Sequence, residues 1–441
     1  MKKSVKAIAA AAAALTMALS CVSANVYAAK KETVPAVQAE QESSAAKYEF
    51  TEGKTVLVPY NGITLFADND GTVYYQGCDS NNRVKIFTLN ENGKIKNSYT
   101  IENDSGKEIT GTAAELKQCG EDLYLIYSEY EYVGMSYFTQ KMNNVIVKLD
   151  KELHEIARYN HEKSAHSIDT NGEKVVYLKG TTNSKIYICD IDGKNKKLLY
   201  SVNSKATPIE QPLNSVAIAG NYVGFQKTTG YQSESDQKAY CGLIDIETGE
   251  ITLHEERSVQ QVFSSNGRLI WYGEQGYYPD PEGTFNNISS DDLGGGSLTD
   301  YFESRYKYYD DGEIYVFDGE NYSVVKVPDV KELTFVHIID NEGNLITTNY
   351  KNGSQTYKIY HDGELMDELT LSYKGCGIAV ANGGVLTFCY TGRDSTPDDW
   401  VGWGDSTPRE EIEAMLAAQD ERAAKIREQY PTKSVTFTYK H

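Results

Sequence analysis

The side chains best placed to do chemistry are Trp400 and Trp403, which sit among Asp398, Asp399 and Asp405. Tryptophan offers a large rigid face with one polar N–H, which suits protein hot spots and the flat face of a sugar ring alike. Tyr277 and Tyr278 with Asp280, and Tyr130, Tyr132, Tyr137 and Phe138 beside Met135, repeat the aromatic theme elsewhere. Such aromatics also pack loops onto a core, and around Tyr277 that reading stands beside the binding one. The carboxylates Asp398, Asp399 and Asp405 would serve a glycan hydrolase or lyase only as a pair at suitable separation, a condition that sequence spacing does not set.

Other catalytic patterns are missing. There is no Gly-x-Ser-x-Gly elbow, no phosphate loop and no Cys-x-x-Cys. His161 and His166 lie five residues apart, one more than a zinc-binding helix needs, in a stretch that reads as loop entering a strand. His166 and His337 fall on expected innermost strands, where structural histidines are the default. Asp68-Asn69-Asp70-Gly71 has acidic residues but lacks the later ligands of a calcium loop and reads as a hairpin turn. No catalytic residue, metal or cofactor is therefore expected. Cys376 and Cys389 flank Asn382-Gly383. A two-residue turn there would set them opposite each other with Cα atoms ~4.5 Å apart, either bridged or as two small apolar fillers. Cys78, Cys119, Cys189 and Cys241 read as strand fillers.

The elements that would carry these residues form a repeat. Residues 165–202 hold four short apolar or alternating runs separated by turns at Asn171-Gly172, Gly180 to Asn183, and Asp192-Gly193. This is the pattern of a four-stranded antiparallel meander. A Gly-containing turn followed at once by an apolar strand recurs at Gly71, Gly120, Gly172, Gly220, Gly267, Gly343 and Gly383. Its spacings run from 40 to 52 residues apart from one of 76, which holds a visible insertion. The period of propeller blades is ~40–50 residues. A second turn, between the third and fourth strands, is found in six units; the seventh ends at Ser434 to His441, its third strand. Thr55 to Tyr60 is an orphan strand before unit one, and the economical arrangement places it at the outer edge of the last sheet, with Pro59 tolerated there. The expected fold is all-β: a seven-bladed β-propeller closed by an N-terminal strand, with one helical insertion near the C-terminus.

Lys185 to Leu198, with its strand, Asp192-Gly193 turn and strand, resembles the repeat of low-density-lipoprotein-receptor-type and TolB-like propellers, shared by many secreted Gram-positive proteins of unknown function. The resemblance implies a propeller that binds proteins or small ligands and implies no catalytic residues.

With strands labelled A (innermost) to D, the B–C connections swell in unit two (Glu129 to Gln140), unit four (Thr229 to Gln237), unit five (near 275–311) and unit seven (near 393–433). All four would lie on one face of the disc. Loop extensions cost little, so scattered ones would mean little, whereas four on one face read as a built surface. The unit-seven insertion carries a helix signature: Thr407 as N-cap, Pro408 at the first position, Glu410 in a capping box, and Tyr430-Pro431 as the stop. Ile412, Met415, Leu416, Ala423 and Ile426 form a narrow apolar stripe, the mark of a lid packed on the disc.

Residues 1–29 have the form of a secretion signal, with Lys2-Lys3, an apolar core from Ala7 to Leu19, and Val26-Tyr27-Ala28 at the cleavage site. That core is too short to span a membrane, and lipid attachment at Cys21 is disfavoured by its poor box. Residues 30–46 read as a flexible linker, leaving 47–441 as one domain. The formal charge of −20 argues against nucleic acid and favours solubility or a cationic ligand. The functional expectation is a secreted, monomeric binding protein. Trp400, Trp403, Tyr277, Tyr278, Tyr132, Tyr137, Asp398 and Asp399 would face an extracellular protein, peptide or glycan. The alternatives are a glycan-acting propeller enzyme and a non-catalytic scaffold.

Overall fold

A computed structural model describes residues 49–440 except 80–82, 102–113, 133–139, 182, 204–209, 231–237, 258, 260, 273–277, 280–305, 308–310, 329–333, 352–353, 362–363, 375–378 and 394–408. Seven antiparallel sheets each run in meander order A-B-C-D. Blade 3 shows the plan, with strands Ala165–Thr170, Lys174–Lys179, Lys185–Asp190 and Lys197–Ser201. The innermost strands touch their counterparts in neighbouring blades, so the sheets stand around a common axis as a seven-bladed β-propeller.

Alternation along the middle strands explains the ring. In blade 2, Leu123 and Leu125 pack with Tyr74 and Ile86 of blade 1, whereas Tyr124 and Ile126 pack with Val175 and Tyr177 of blade 3. Successive residues of one strand point to opposite faces, so each blade feeds two apolar seams. Among the described residues there are seven such clusters, one between each pair of successive blades. The last joins blade 7 to blade 1 through Cys389, Tyr75, Phe87 and Val58, and Tyr75 Oη meets Ser434 Oγ at 2.9 Å.

Blade 7 is completed from the N-terminal side, as expected, but the closing segment differs in detail. Glu49–Glu52 pairs with residues 437–440 and Val56–Leu57 with residues 433–434. Pro59 does not sit on that edge; it opens the 3-10 turn Pro59–Asn61 that delivers the chain into blade 1.

The turn in blade 7 also departs from expectation. Asn382 pairs with Val385 and Ala381 with Leu386, so the two turn residues are Gly383 and Gly384. Both have left-handed backbone (φ 57° and 74°), the conformation a two-residue hairpin of this hand needs at both positions and glycine adopts without strain. The register therefore differs by two residues from the one that would set Cys376 opposite Cys389. The geometric reason for a Cys376–Cys389 bridge falls away; Cys376 itself lies outside the described residues. Cys189 and Cys241 are buried as expected, whereas Cys78 is exposed.

All four long connections join strands B and C, as expected, although much of the unit-two stretch is ladder rather than loop. Glu129 pairs with Asn143 and Tyr132 with Gln140. The blade-5 insertion starts from a short ladder between Tyr278–Pro279 and Tyr306–Lys307. The helix is present over Arg409–Gln429, and among its described side chains only Met415 and Ile426 are partly covered. Both belong to the expected apolar stripe, whose other members, Ile412, Leu416 and Ala423, have side chains outside the described ones. No helix among the described residues is long and apolar enough to cross a membrane.

Gly383 is the tightest point of the seam between blades 7 and 1: a Cβ there would lie 2.4 Å from Gly71 N and 2.8 Å from Asn69 O. Gly383→Ala should lower stability by about 2 kcal/mol or more through the left-handed backbone and this backbone contact. Urea denaturation monitored by tryptophan fluorescence measures it, and an unchanged midpoint would contradict this account of closure.

Candidate functional site

Each innermost strand turns one unpaired backbone edge towards the axis, and unpaired N–H and C=O groups there need partners. The preceding blade supplies them from side chains. Val216 N and Ile218 N of blade 4 donate to Ser167 Oγ (3.2 Å) and Asp169 Oδ2 (2.8 Å) of blade 3. Val262 N of blade 5 donates to Ser215 Oγ, beside strand A of blade 4, at 2.8 Å. Asn266 and Asn382 donate to Ile339 O (2.8 Å) and Ala67 O (3.1 Å). The axis is therefore polar because the inner strands are edges.

At the A–B end these groups close the channel. Asn382 is 2% exposed, and its Nδ2 also reaches Asn69 Oδ1 (3.0 Å) and Asn266 Oδ1 (3.3 Å), so blades 7, 1 and 5 meet on one carboxamide. Asn341 N donates to Asn382 Oδ1, and Gly383 N to Asn341 Oδ1. Asp68, fully buried, is consumed by its own turn: Asp70 N and Thr72 N donate to Oδ1 at 2.9 Å each, and Tyr74 Oη donates to Oδ2 at 3.2 Å. The turn reading of residues 68–71 stands.

Further in, three blades are tied by one ion pair. Lys117 Nζ of blade 2 lies 2.7 Å from Asp169 Oδ1 of blade 3 and 2.5 Å from Ser264 Oγ of blade 5, and Ser264 Oγ donates to Asp169 Oδ2 at 2.7 Å. Thr170 N and Ile218 N complete four bonds to the carboxylate. Burial alone would pull the Lys117 ammonium down. The charge of Asp169 and its hydrogen bond outweigh that and hold it above its ordinary value.

Glu115 stands two residues before Lys117 on the same face of the strand, at the B–C side of the pair. Its side chain is solvent-exposed, on a strand of the inner ring. No described residue donates a hydrogen bond to it. Burial, then the neighbouring Asp169 charge, raises its pKa from 4.5 to about 7, with Lys117 pulling the other way.

No sequence motif marks this cluster. The available signal was a charged alternation, Glu115-Leu116-Lys117, in an inner strand where the other repeats are largely apolar. Of the eight residues proposed from sequence, Tyr137, Tyr277, Asp398, Asp399, Trp400 and Trp403 lie outside the described residues. The backbones of Tyr132 and Tyr278 are placed, each in a strand at the root of a B–C connection. His166 is exposed at the start of its strand. Partial burial draws its pKa down, against a backbone hydrogen bond at Leu213. His337 lies in the inner strand of blade 6. Among the described residues no group of three or more His, Cys, Asp or Glu side chains could hold a metal ion.

No family model matches the chain, and no curated protein matches it. Among solved structures it resembles the β-propeller domain of Cps50 (Swd1) from Myceliophteria thermophila. The identity is 12% and the TM-score 0.44, over 78% of this chain and 96% of that one. It also resembles the β-propeller domain of the Trilobed protease from Pyrococcus furiosus, at 12% identity and a TM-score of 0.36, over 63% and 77% of the two chains. For the acylaminoacyl peptidase of Pyrococcus horikoshii the figures are 13% and 0.38, and the match covers 64% of this chain and 43% of the peptidase. The chain thus spans less than half the length of that enzyme.

Two outcomes test the channel chemistry. Lys117→Met leaves Asp169 buried without its cation and should cost about 3 kcal/mol in urea denaturation; a neutral result would mean the pair does not bind the blades together. Glu115 holds its proton in the folded protein between about pH 4.5 and 7 while the unfolded chain releases it, so stability should fall as pH rises through that window. Glu115→Gln should remove that slope from a plot of urea midpoint against pH.

Proposed function

We propose that the protein is an extracellular binding protein that presents the B–C face of its propeller to a protein, peptide or glycan. The observation that carries this reading is the asymmetry of the disc. The four long connections between strands B and C leave from one face, while the opposite end of the axis is closed by short turns and by the carboxamides around Asn382. A scaffold with no preferred face has no reason to segregate its insertions, and rigid elements that carry variable loops are the usual ground for recognition. The composition of the insertions agrees, with Trp400, Trp403, Tyr137 and Tyr277 for contact area and Asp398 and Asp399 for polar recognition.

The position of the closing strand is favourable as well. Glu49 pairs with Lys440 at the end of the sheet that carries the Gly383–Gly384 turn, away from the long connections. A tether at residues 30–46, attached upstream of Glu49, would leave the insertion-bearing face clear. The pattern of residues 1–29 supports export, and the resemblance of residues 185–198 to receptor-type and TolB-like propeller repeats supports a binding role.

Screening the mature chain against cell-wall and host glycans and extracellular proteins tests the reading. Retention of a ligand that weakens at least about tenfold in Trp400→Ala and Trp403→Ala is the expected result. Release of sugar from a retained glycan would make the protein an enzyme, and a flat response to every ligand would leave a scaffold.

A further inference from the structure

We propose that a cleft between blades 2 and 3 binds the carboxylate or phosphate group of a small, sugar-sized anion. The cleft is built from residues other than those of the B–C insertions, so it is a second site beside the proposed binding face and does not rest on it.

Strand D of blade 2, Glu155–His161, ends against blade 3, and a cleft of about 250 Å³ opens there. His161, Glu162 and Lys163 line it from blade 2, and Tyr177, Cys189 and Lys196 from blade 3. A space of this size lies below the range that takes drug-sized ligands and suits a single sugar or a small acid. His161 is only 9% exposed, and its Nε2 has no hydrogen-bond partner among the described residues. Burial draws the His161 pKa down, while a backbone hydrogen bond at Ile191 and the charge of Asp192 pull the other way. The Ile191 bond favours the protonated ring, so the imidazole is its donor, and with Nε2 unpartnered that donor is Nδ1. At pH 7 the ring is neutral, with one buried polar atom that stays costly until a ligand meets it.

The charges around the cleft favour an anion. Lys179 and Lys185 stand directly opposite each other in the blade-3 ladder, a like-charge pair that weakens a sheet. Glu162 relieves it only in part: Lys179 Nζ donates to Oε1 at 3.2 Å and Lys196 Nζ to Oε2 at 3.0 Å. Lys185 and Lys163 are exposed and have no ion-pair partner among the described residues. Four ammonium groups therefore share one carboxylate. Asp190 and Asp192, at the neighbouring C–D turn, are already paired with Lys174 and Lys194, at 2.5 and 2.7 Å. In a chain of net charge −20 this is a local excess of the opposite sign, and it attracts anions that the rest of the surface repels.

The central cation is held in place. Lys196 Nζ lies 4.6 Å from the ring centroid of Tyr187 and 5.3 Å from that of Tyr177, and the two rings stack at 5.5 Å. The ring faces attract the ammonium and fix its position. Its hydrogen bond with Tyr177, then that with Glu162, keep its pKa above the ordinary lysine value against the effect of burial. A metal ion suits the cleft poorly, because burial pushes the Cys189 thiol up to about 11 and it keeps its proton. An anion accepts from Lys196 and Lys163 and makes protonation of His161 favourable, so that Nε2–H becomes a further donor.

The probes are glucuronate, glucose 6-phosphate and neutral glucose, titrated into the protein at pH 7 and low ionic strength. Binding is followed by calorimetry and by the imidazole resonances of histidine-labelled protein. At least one anionic sugar should bind saturably and glucose should not; binding of glucuronate assigns the site to a carboxylate, and binding of glucose 6-phosphate alone assigns it to a phosphate. On saturation the His161 resonance should move towards its protonated position. Lys196→Met keeps a stem over the two rings but removes the charge, and should weaken binding about tenfold or more. Lys163→Met alters an exposed residue, so it should leave the urea midpoint unchanged while weakening binding about threefold. Glucose binding as tightly as the anions, unchanged affinity in both variants, an unmoved His161 resonance, or no binding of either anion would overturn the proposal. None of these outcomes bears on a ligand retained through Trp400.

Discussion

A four-stranded sheet whose middle strands are apolar on both faces cannot stand alone, and the whole molecule answers that constraint. Leu123 and Leu125 need one neighbour, and Tyr124 and Ile126 need another. Every blade repeats the demand, so the stack has to bend round until the last sheet meets the first. At ~25 cal/mol per Å² of apolar surface, a single unclosed seam would leave two sheet faces in water at a cost larger than most domains can bear. Among the described residues the seam at Cys389, Tyr75 and Phe87 is the least furnished with buried apolar side chains, and it is reinforced by other means: the Tyr75–Ser434 hydrogen bond, the Asn382 bonds and the close approach of Gly71 to Gly383.

The same geometry produces the polar axis. Bringing seven strand edges together leaves seven rows of backbone groups facing inward, and the side chains that satisfy them are Ser, Asp and Asn rather than aliphatics. Lys117 enters because Asp169, needed to accept from Ile218 N and Thr170 N, brings a charge that burial would otherwise penalise. Glu115 is the residue that this local logic does not explain. Among the described residues it holds no strand edge, and it adds a second carboxyl group beside Asp169. A group that weakens the fold in this way is where a role other than folding is best sought.

Much of the architecture was legible in the residues. Glycine-containing turns at near-regular spacing define the blades because a tight hairpin needs left-handed backbone, and few other residues accept it. The helix was legible from its caps, and the four insertions from the interrupted period. Two things were not. Asn382-Gly383 and Gly383-Gly384 are candidate turns one residue apart, which shifts the strand register by two, and only the pairing of Asn382 with Val385 decides between them. The channel cluster joins Lys117, Asp169 and Ser264 from three blades, and no local pattern marks a contact between residues 147 apart in sequence. Trp271 carried no signal either: it is buried against blade 4, with its Nε1 donating to Phe225 O at 3.0 Å, and serves packing.

The pairing of Glu49 with Lys440 also sets the order in which the molecule can assemble. Those residues are nearly a whole chain length apart, so the segment that locks the ring waits, unpaired, until the final strand exists. Contacts of such long range are slow to form, and an open ring meanwhile displays a bare strand and two greasy surfaces to any neighbouring copy.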